Sequence, residues 1–258
     1  MDHLKRVTEE FARQAHTFDL WAEKSDDQVV ARFLTALGDA GQGHLLDVAC
    51  GPGVVTAAIA STAASVVALD ATDEMLEKAR VRCATANLAN VRFKRGDAEH
   101  LPFDEAQFDG VVTRSAVHHF ANPQRALTEM FRVLRPGGTA VIVDVVSSEE
   151  LEESNLQNAI ERLRDPSHVR MLRATELDAC IAGAGFCNLV RTTWDKQREF
   201  EEWIGIVNDP VRTQPLHTVV RALAQAGQTA GMGLSILNER ITFFHRRHLV
   251  KAMKPPRN

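Results

Sequence analysis

Three carboxylates stand where a short apolar run breaks into a turn: Asp47 in "HLLDVACGPG", Asp70 in "ALDATDEML" and Asp97 in "KRGDAEH". A carboxylate in such a place accepts hydrogen bonds and draws in positive charge. Asp47 precedes a glycine loop, Gly51-Pro52-Gly53, which invites comparison with phosphate-binding loops. The comparison fails. Gly51-Pro52-Gly53-Val54-Val55-Thr56 lacks the third glycine of the dinucleotide pattern G-x-G-x-x-G, and the G-x-x-x-x-G-K of a P-loop is absent. Asp47 would also repel the pyrophosphate that those loops hold at a helix N-terminus. The expected ligand is therefore cationic.

S-adenosylmethionine has matching groups: a positive α-ammonium and sulfonium, two ribose hydroxyls and an exocyclic adenine amine. Asp47 would take the ammonium, directly or through water, while Ala49, Gly51 and Gly53 let backbone close over the methionine part. Cys50 would pack beside it as a small side chain rather than act as a nucleophile. Asp70 would take the ribose, followed by Ala71 and Thr72, and Met75 one turn later would pack on adenine. Asp97 and the Ala98 amide would hold the adenine amine. Arg114 and Ser115 would contact the methionine part. His118 and His119 follow them; either is a general base, since imidazole titrates near neutral pH, or the pair holds its loop by hydrogen bonding. His168 in "RDPSHVR" is a further substrate candidate.

These residues need elements to hold them. Strands are expected over residues 45–49, 65–69, 91–94, 108–113 and 139–146, with helical stretches between them, which means a parallel sheet covered by helices on both faces. Two amphipathic helices precede the glycine loop, the first carrying Leu4, Val7, Phe11, Ala15 and Phe18 at steps of three and four. Further helices are expected over 149–164 and 176–184, and strands over 188–193 and 241–252. The second of these strands crosses "HRRH" at 245–248, read as solvated because alternation sends its residues to opposite faces. Residues 203–233 show no clean period and read as a cap.

The pieces "LDVACGPG", "ALDATDEML", "GDAEHLPF", "FDGVVTRSAVHHF" and "RVLRPGG", in that order, resemble the class I S-adenosylmethionine-dependent methyltransferases, in particular the small-molecule branch with the ubiquinone and menaquinone C-methyltransferases. "RLRDPSHVR" is similar to a segment of bacterial members of that branch. Ala49 stands where the family has its first glycine. The resemblance implies a Rossmann-like α/β, doubly wound sheet of seven strands with the last antiparallel. It also implies an N-terminal helix folded over the cofactor, so that His16 and Phe18 face the substrate.

One domain is expected over 1–258, with lid helices over 1–42, a cofactor-binding core over 43–147, and a cap insertion with closing strands over 148–258. A net charge of -4 gives no general attraction to nucleic acid, and no apolar run approaches the ~18 residues of a membrane span. Cys50, Cys83, Cys180 and Cys187 make no metal-like spacing, and the N-terminus lacks a signal peptide's apolar stretch; a reduced cytoplasmic protein without metal, monomer or homodimer, is expected. The D-P-P-Y type motif of nucleobase amino methyltransferases is missing from "TRSAV", and there is no tyrosine at all. What remains is a small, partly hydrophobic acceptor methylated on O, N or C. The alternative is an S-adenosylmethionine-binding protein that catalyses a rearrangement or regulates.

Overall fold

The computed structural model describes residues 3–23, 27–207 and 209–257. Within its first two helices, α1 (His3–Glu23) and α2 (Asp27–Leu37), several side chains, those of His16 and Phe18 among them, lie outside the described residues.

Five strands run parallel: β1 (His44–Val48), β2 (Ser65–Asp70), β3 (Val91–Arg95), β4 (Phe108–Arg114) and β5 (Leu134–Val146). Two long strands complete the sheet, β6 (Cys187–Glu199) at the edge and β8 (Arg240–Met253) between β5 and β6, antiparallel to both. The order β3-β2-β1-β4-β5-β8-β6 is the seven-strand path expected. A three-residue strand, β7 (Ser235–Leu237), adds to the outer half of β8. All three of its residues are exposed, so it leaves no burial pattern to read.

Parallel strands covered on both faces are apolar along nearly all their length, and residues 139–146 are buried without a break. One face packs Leu46, Val48 and Ile142 against Leu127 and Met130 of α5 (Pro123–Val133). The other packs Leu45, Val66 and Val141 against Phe33 and Leu37 of α2 and Ile59 of α3 (Val54–Ala60). Helix α5 begins where Asn122 accepts from the Arg125 amide with Pro123 in the first turn. Strand order reverses between β1 and β4, which opens a crevice at the carboxyl ends of the strands. Helix α4 (Asp73–Thr85) flanks that crevice.

The cap has a core of its own. Ile160 of α6 (Leu151–Arg164), Phe200 and Trp203 of α8 (Phe200–Gly205) and Leu216 and Val220 of α9 (Pro210–Gln225) close on Phe243. Helix α7 (Ala174–Gly183) returns to the sheet and packs on α5. This cap corrects the reading of "HRRH" as solvated. Arg247 and His248 are buried, and the four side chains are matched one by one: His245 to Glu161, Arg246 to Asp195, Arg247 to the Ser115 hydroxyl and His248 to Asp178.

Candidate functional site

A cavity of about 360 Å³ occupies the crevice above β1, β2 and β4. Asp47, Ala49, Cys50, Gly51, Asp70, Ala71, Thr72, Met75, Asp97, Ala98, Arg114, Ser115 and His119 all line it. Of the proposed site residues whose side chains are described, three do not: Gly53, His118 and His168.

The loop after β1 is shaped by left-handed backbone. Gly51 has φ +54° with nothing within 4 Å of where a Cβ would stand, so the cavity meets bare backbone there. Gly53 serves packing instead: at φ +79° a Cβ would stand 2.7 Å from the Ala79 Cβ, so this glycine lets α3 approach α4. Ala49 holds φ +55° with a side chain, a conformation that costs an L-residue roughly 1–2 kcal/mol. Ala49→Gly is therefore expected to raise stability by about 0.5–1 kcal/mol, the difference left after glycine's own entropy cost, as read from chemical denaturation.

Each carboxylate is fixed before any ligand arrives. Asp70 accepts the Gly51 amide at 2.8 Å on one oxygen and the Thr72 amide at 2.9 Å on the other, which ties the glycine loop to the end of β2. The Thr72 hydroxyl and the Ala71 amide also turn towards this carboxylate. Burial raises its pKa and these amides oppose the rise. Asp47 accepts the Thr56 hydroxyl at 2.6 Å, and burial lifts its pKa to about 7 against that hydrogen bond. Asp97 accepts the Glu99 amide at 2.9 Å and meets His100 Nδ1 at 3.0 Å. Burial, then the charges of Asp70 and Asp47, push the Cys50 thiol well up, which removes it as a nucleophile.

Helix α1 covers the opening. His3, Leu4, Val7 and Phe11 line the cavity, His3 Nε2 donates to the His119 carbonyl at 2.8 Å, and Arg13 donates to the Val207 carbonyl of the cap at 2.6 Å.

The two adjacent histidines are divided by their surroundings. His118 turns away from the cavity, and its Nδ1 meets Asp144 at 2.5 Å. Burial lowers its pKa, but the Asp144 charge and hydrogen bond outweigh burial and raise it, so His118 holds the loop as a charged partner. Asp144 was missed in the sequence. Its signal was a lone carboxylate inside "AVIVDVV", a buried run where a charge needs a partner. His119 stays on the wall with its ring 4.9 Å from that of Phe11. Burial first, and then the His118 charge, push its pKa down to about 4, so it is neutral at pH 7. His168 is buried, its Nε2 3.0 Å from Asn158 Oδ1, and burial pushes its pKa down to about 3; it backs the histidine loop rather than facing the cavity.

A second cavity of about 260 Å³ lies between the end of β5 and the cap, walled by Val145, Val146, Ile160, Met171, Trp203 and Phe243. Ser148, Gln157, Glu161, Asp195, His245 and Arg246 supply its polar groups. Burial raises the Glu161 pKa, but Arg164 and His245 hold that carboxylate well below its ordinary range. Among the described residues no group of three or more His, Cys, Asp and Glu could hold a metal ion, and no helix is long and apolar enough to cross a membrane.

Comparison with known proteins agrees with this geometry. Residues 46–142 match the family described as a methyltransferase domain. The chain is 30% identical over 213 residues to the uncharacterized methyltransferase YcgJ of Bacillus subtilis, 82% of this chain and 84% of that one. A Bacillus halodurans C-125 protein, BH2331, with a provisional methyltransferase assignment, superposes with a TM-score of 0.82 at 30% identity over 88% of this chain and 98% of that one. A demethylmenaquinone methyltransferase of Clavibacter sepedonicus is 41% identical over 101 residues, 39% of this chain and 40% of the relative. With the sheet order, the glycine loop and the strand-end carboxylates in place, these likenesses show that the chain belongs to the class I S-adenosylmethionine-dependent methyltransferases.

Proposed function

We propose that the chain methylates a small, partly hydrophobic metabolite on an O, N or C atom, with S-adenosylmethionine in the first cavity and the acceptor's apolar body in the second. The observation that carries this reading is the placing of Asp47, Asp70 and Asp97 around one cavity floored by the bare backbone of Gly51. That set of acceptors suits an ammonium, two ribose hydroxyls and an adenine amine, in that order. When bound, the cofactor supplies a methyl group already activated on a sulfonium. The chain then has to align the acceptor, exclude water and accept a proton. Helix α1 excludes water, the cap walls receive the acceptor, and His119 is the neutral base on the wall.

Incubation with methyl-labelled S-adenosylmethionine and a fractionated metabolite extract tests this reading. Label on an extractable small molecule is the expected result. Cofactor binding without any labelled product would favour the rearrangement or regulatory alternative.

Asp47 gives the binding a pH dependence. Its carboxyl is half protonated near pH 7 in the free protein, and only the carboxylate attracts an ammonium. Cofactor affinity should fall about tenfold from pH 8 to pH 6, with proton release on binding near pH 7. Calorimetry in buffers of different ionisation enthalpy checks both, and an affinity flat over that range would remove Asp47 from the ammonium site.

A further inference from the structure

The turn that follows α6, "RDPSHVR", packs directly behind the histidine loop, and the Val169 and Arg170 amides both donate to the His118 carbonyl, at 3.0 and 3.1 Å. Ser167 sits at its centre, fully buried. Its carbonyl oxygen lies 3.2 Å and its Oγ 3.1 Å from His119 Nδ1. The same hydroxyl donates to Asp165 Oδ1 at 2.6 Å, and the Ser167 amide donates to that oxygen at 2.9 Å.

Proton counting settles the tautomer. A serine hydroxyl has one hydrogen, and here it is committed to Asp165, so towards His119 the Oγ can only accept. The carbonyl can only accept as well. His119 Nδ1 therefore faces two acceptors and must carry the hydrogen, which leaves the lone pair on Nε2. Nothing described bonds to Nε2, and the ring lines the cofactor cavity.

We propose that Asp165 and Ser167 are positioning residues that hold His119 in its Nδ1–H tautomer, so that Nε2 takes the proton released by a methyl acceptor. This rests on the reading of His119 as the base. The acceptor is then a molecule whose attacking atom bears a hydrogen: a hydroxyl, an amine or a carbon made acidic by a neighbouring carbonyl. That atom gains the methyl group, the electron pair of the broken methyl–sulfur bond stays on sulfur, and the displaced proton passes to Nε2. The resulting imidazolium is balanced by Asp165 through the Ser167 hydroxyl.

The other charged and titratable groups around His119 fit this division of labour. His118, its ring 4.2 Å away, is already charged against Asp144 and discourages a second resting charge. His168 is committed too, because Asn158 uses its amide nitrogen on the Ser154 and Met171 carbonyls and offers His168 Nε2 only an acceptor oxygen. Of the three clustered histidines, His119 alone lines the cavity.

The test is a long-range proton–nitrogen NMR correlation on the full chain labelled with 15N-histidine, with His119 assigned by its loss in His119→Gln. At pH 7.5 the expected pattern is Nδ1–H. In Asp165→Asn, which keeps the shape of the turn, the imidazolium fraction of His119 between pH 3 and 6, the range around its pKa of about 4, is expected to fall. An Nε2–H pattern in the unmodified chain, or an unchanged titration in Asp165→Asn, overturns the proposal. Once an acceptor is in hand, Asp165→Asn should lower kcat about tenfold with the KM for S-adenosylmethionine unchanged, and an unchanged kcat counts against it. Failure of the underlying reading shows separately: His119→Gln turning over at the full rate removes the base and leaves the tautomer result standing.

Discussion

His119→Gln is expected to lower turnover about a hundredfold while leaving S-adenosylhomocysteine affinity within twofold of the unmodified chain. General base assistance contributes roughly 10²–10⁴-fold, and glutamine fills similar space without a basic nitrogen. The ring lies on the cavity wall, but its Nδ1 is engaged by the turn after α6, and the carboxylates assigned to the cofactor, Asp47, Asp70 and Asp97, are elsewhere, so binding and chemistry separate at this residue. The companion variant His118→Gln should behave differently. It breaks the buried pair with Asp144, and its main effect is expected in thermal unfolding rather than in the pH profile of turnover. Kinetics with saturating cofactor, set beside calorimetry with S-adenosylhomocysteine, reads both variants. Equal losses of turnover and of cofactor affinity in His119→Gln would make that residue a scaffold.

The second large effect is expected at Asp70. Asp70→Ala should weaken S-adenosylhomocysteine binding about 30- to 100-fold, or about 2–3 kcal/mol. A hydrogen bond to a charged group accounts for roughly 1.5–3 kcal/mol, and the same carboxylate anchors the Gly51 and Thr72 amides. Asp70→Asn keeps one acceptor oxygen for a single amide and should fall between the two. Calorimetry on the three proteins gives the ranking, and unchanged affinity in Asp70→Ala would show that the ribose is not held there.

Much of the core was legible because its physics is local. Parallel strands buried on both faces read as nearly continuous apolar runs, and 139–146 does, interrupted by Asp144; Asn122-Pro123 marks the start of α5, whereas β5 begins at Leu134, ahead of the residue 139 expected. The three carboxylates stood out because each lies within two residues of the carboxyl end of a strand, where parallel sheets bind ligands. The cap was not legible in the same way. Helix α8 has six residues, α9 carries Pro215 inside it and β7 is wholly exposed, so none shows a clean period. The "HRRH" strand was misread for a related reason. Alternation places side chains on two faces, but which faces are wet depends on what packs there, and here the cap covers one and α7 the other. His119 was seen without its tautomer, because Ser167 lies 48 residues along the chain and reaches it only through the fold.

The central claim is that the crevice above β1 and β2 holds the adenosyl methyl donor. A crystal structure grown with excess S-adenosylhomocysteine tests it most directly. The expected map shows ribose on Asp70, adenine between Met75 and Asp97, and the amino acid part over Gly51. A crevice left vacant at saturating ligand, or one occupied by a dinucleotide in competition with it, would contradict the account.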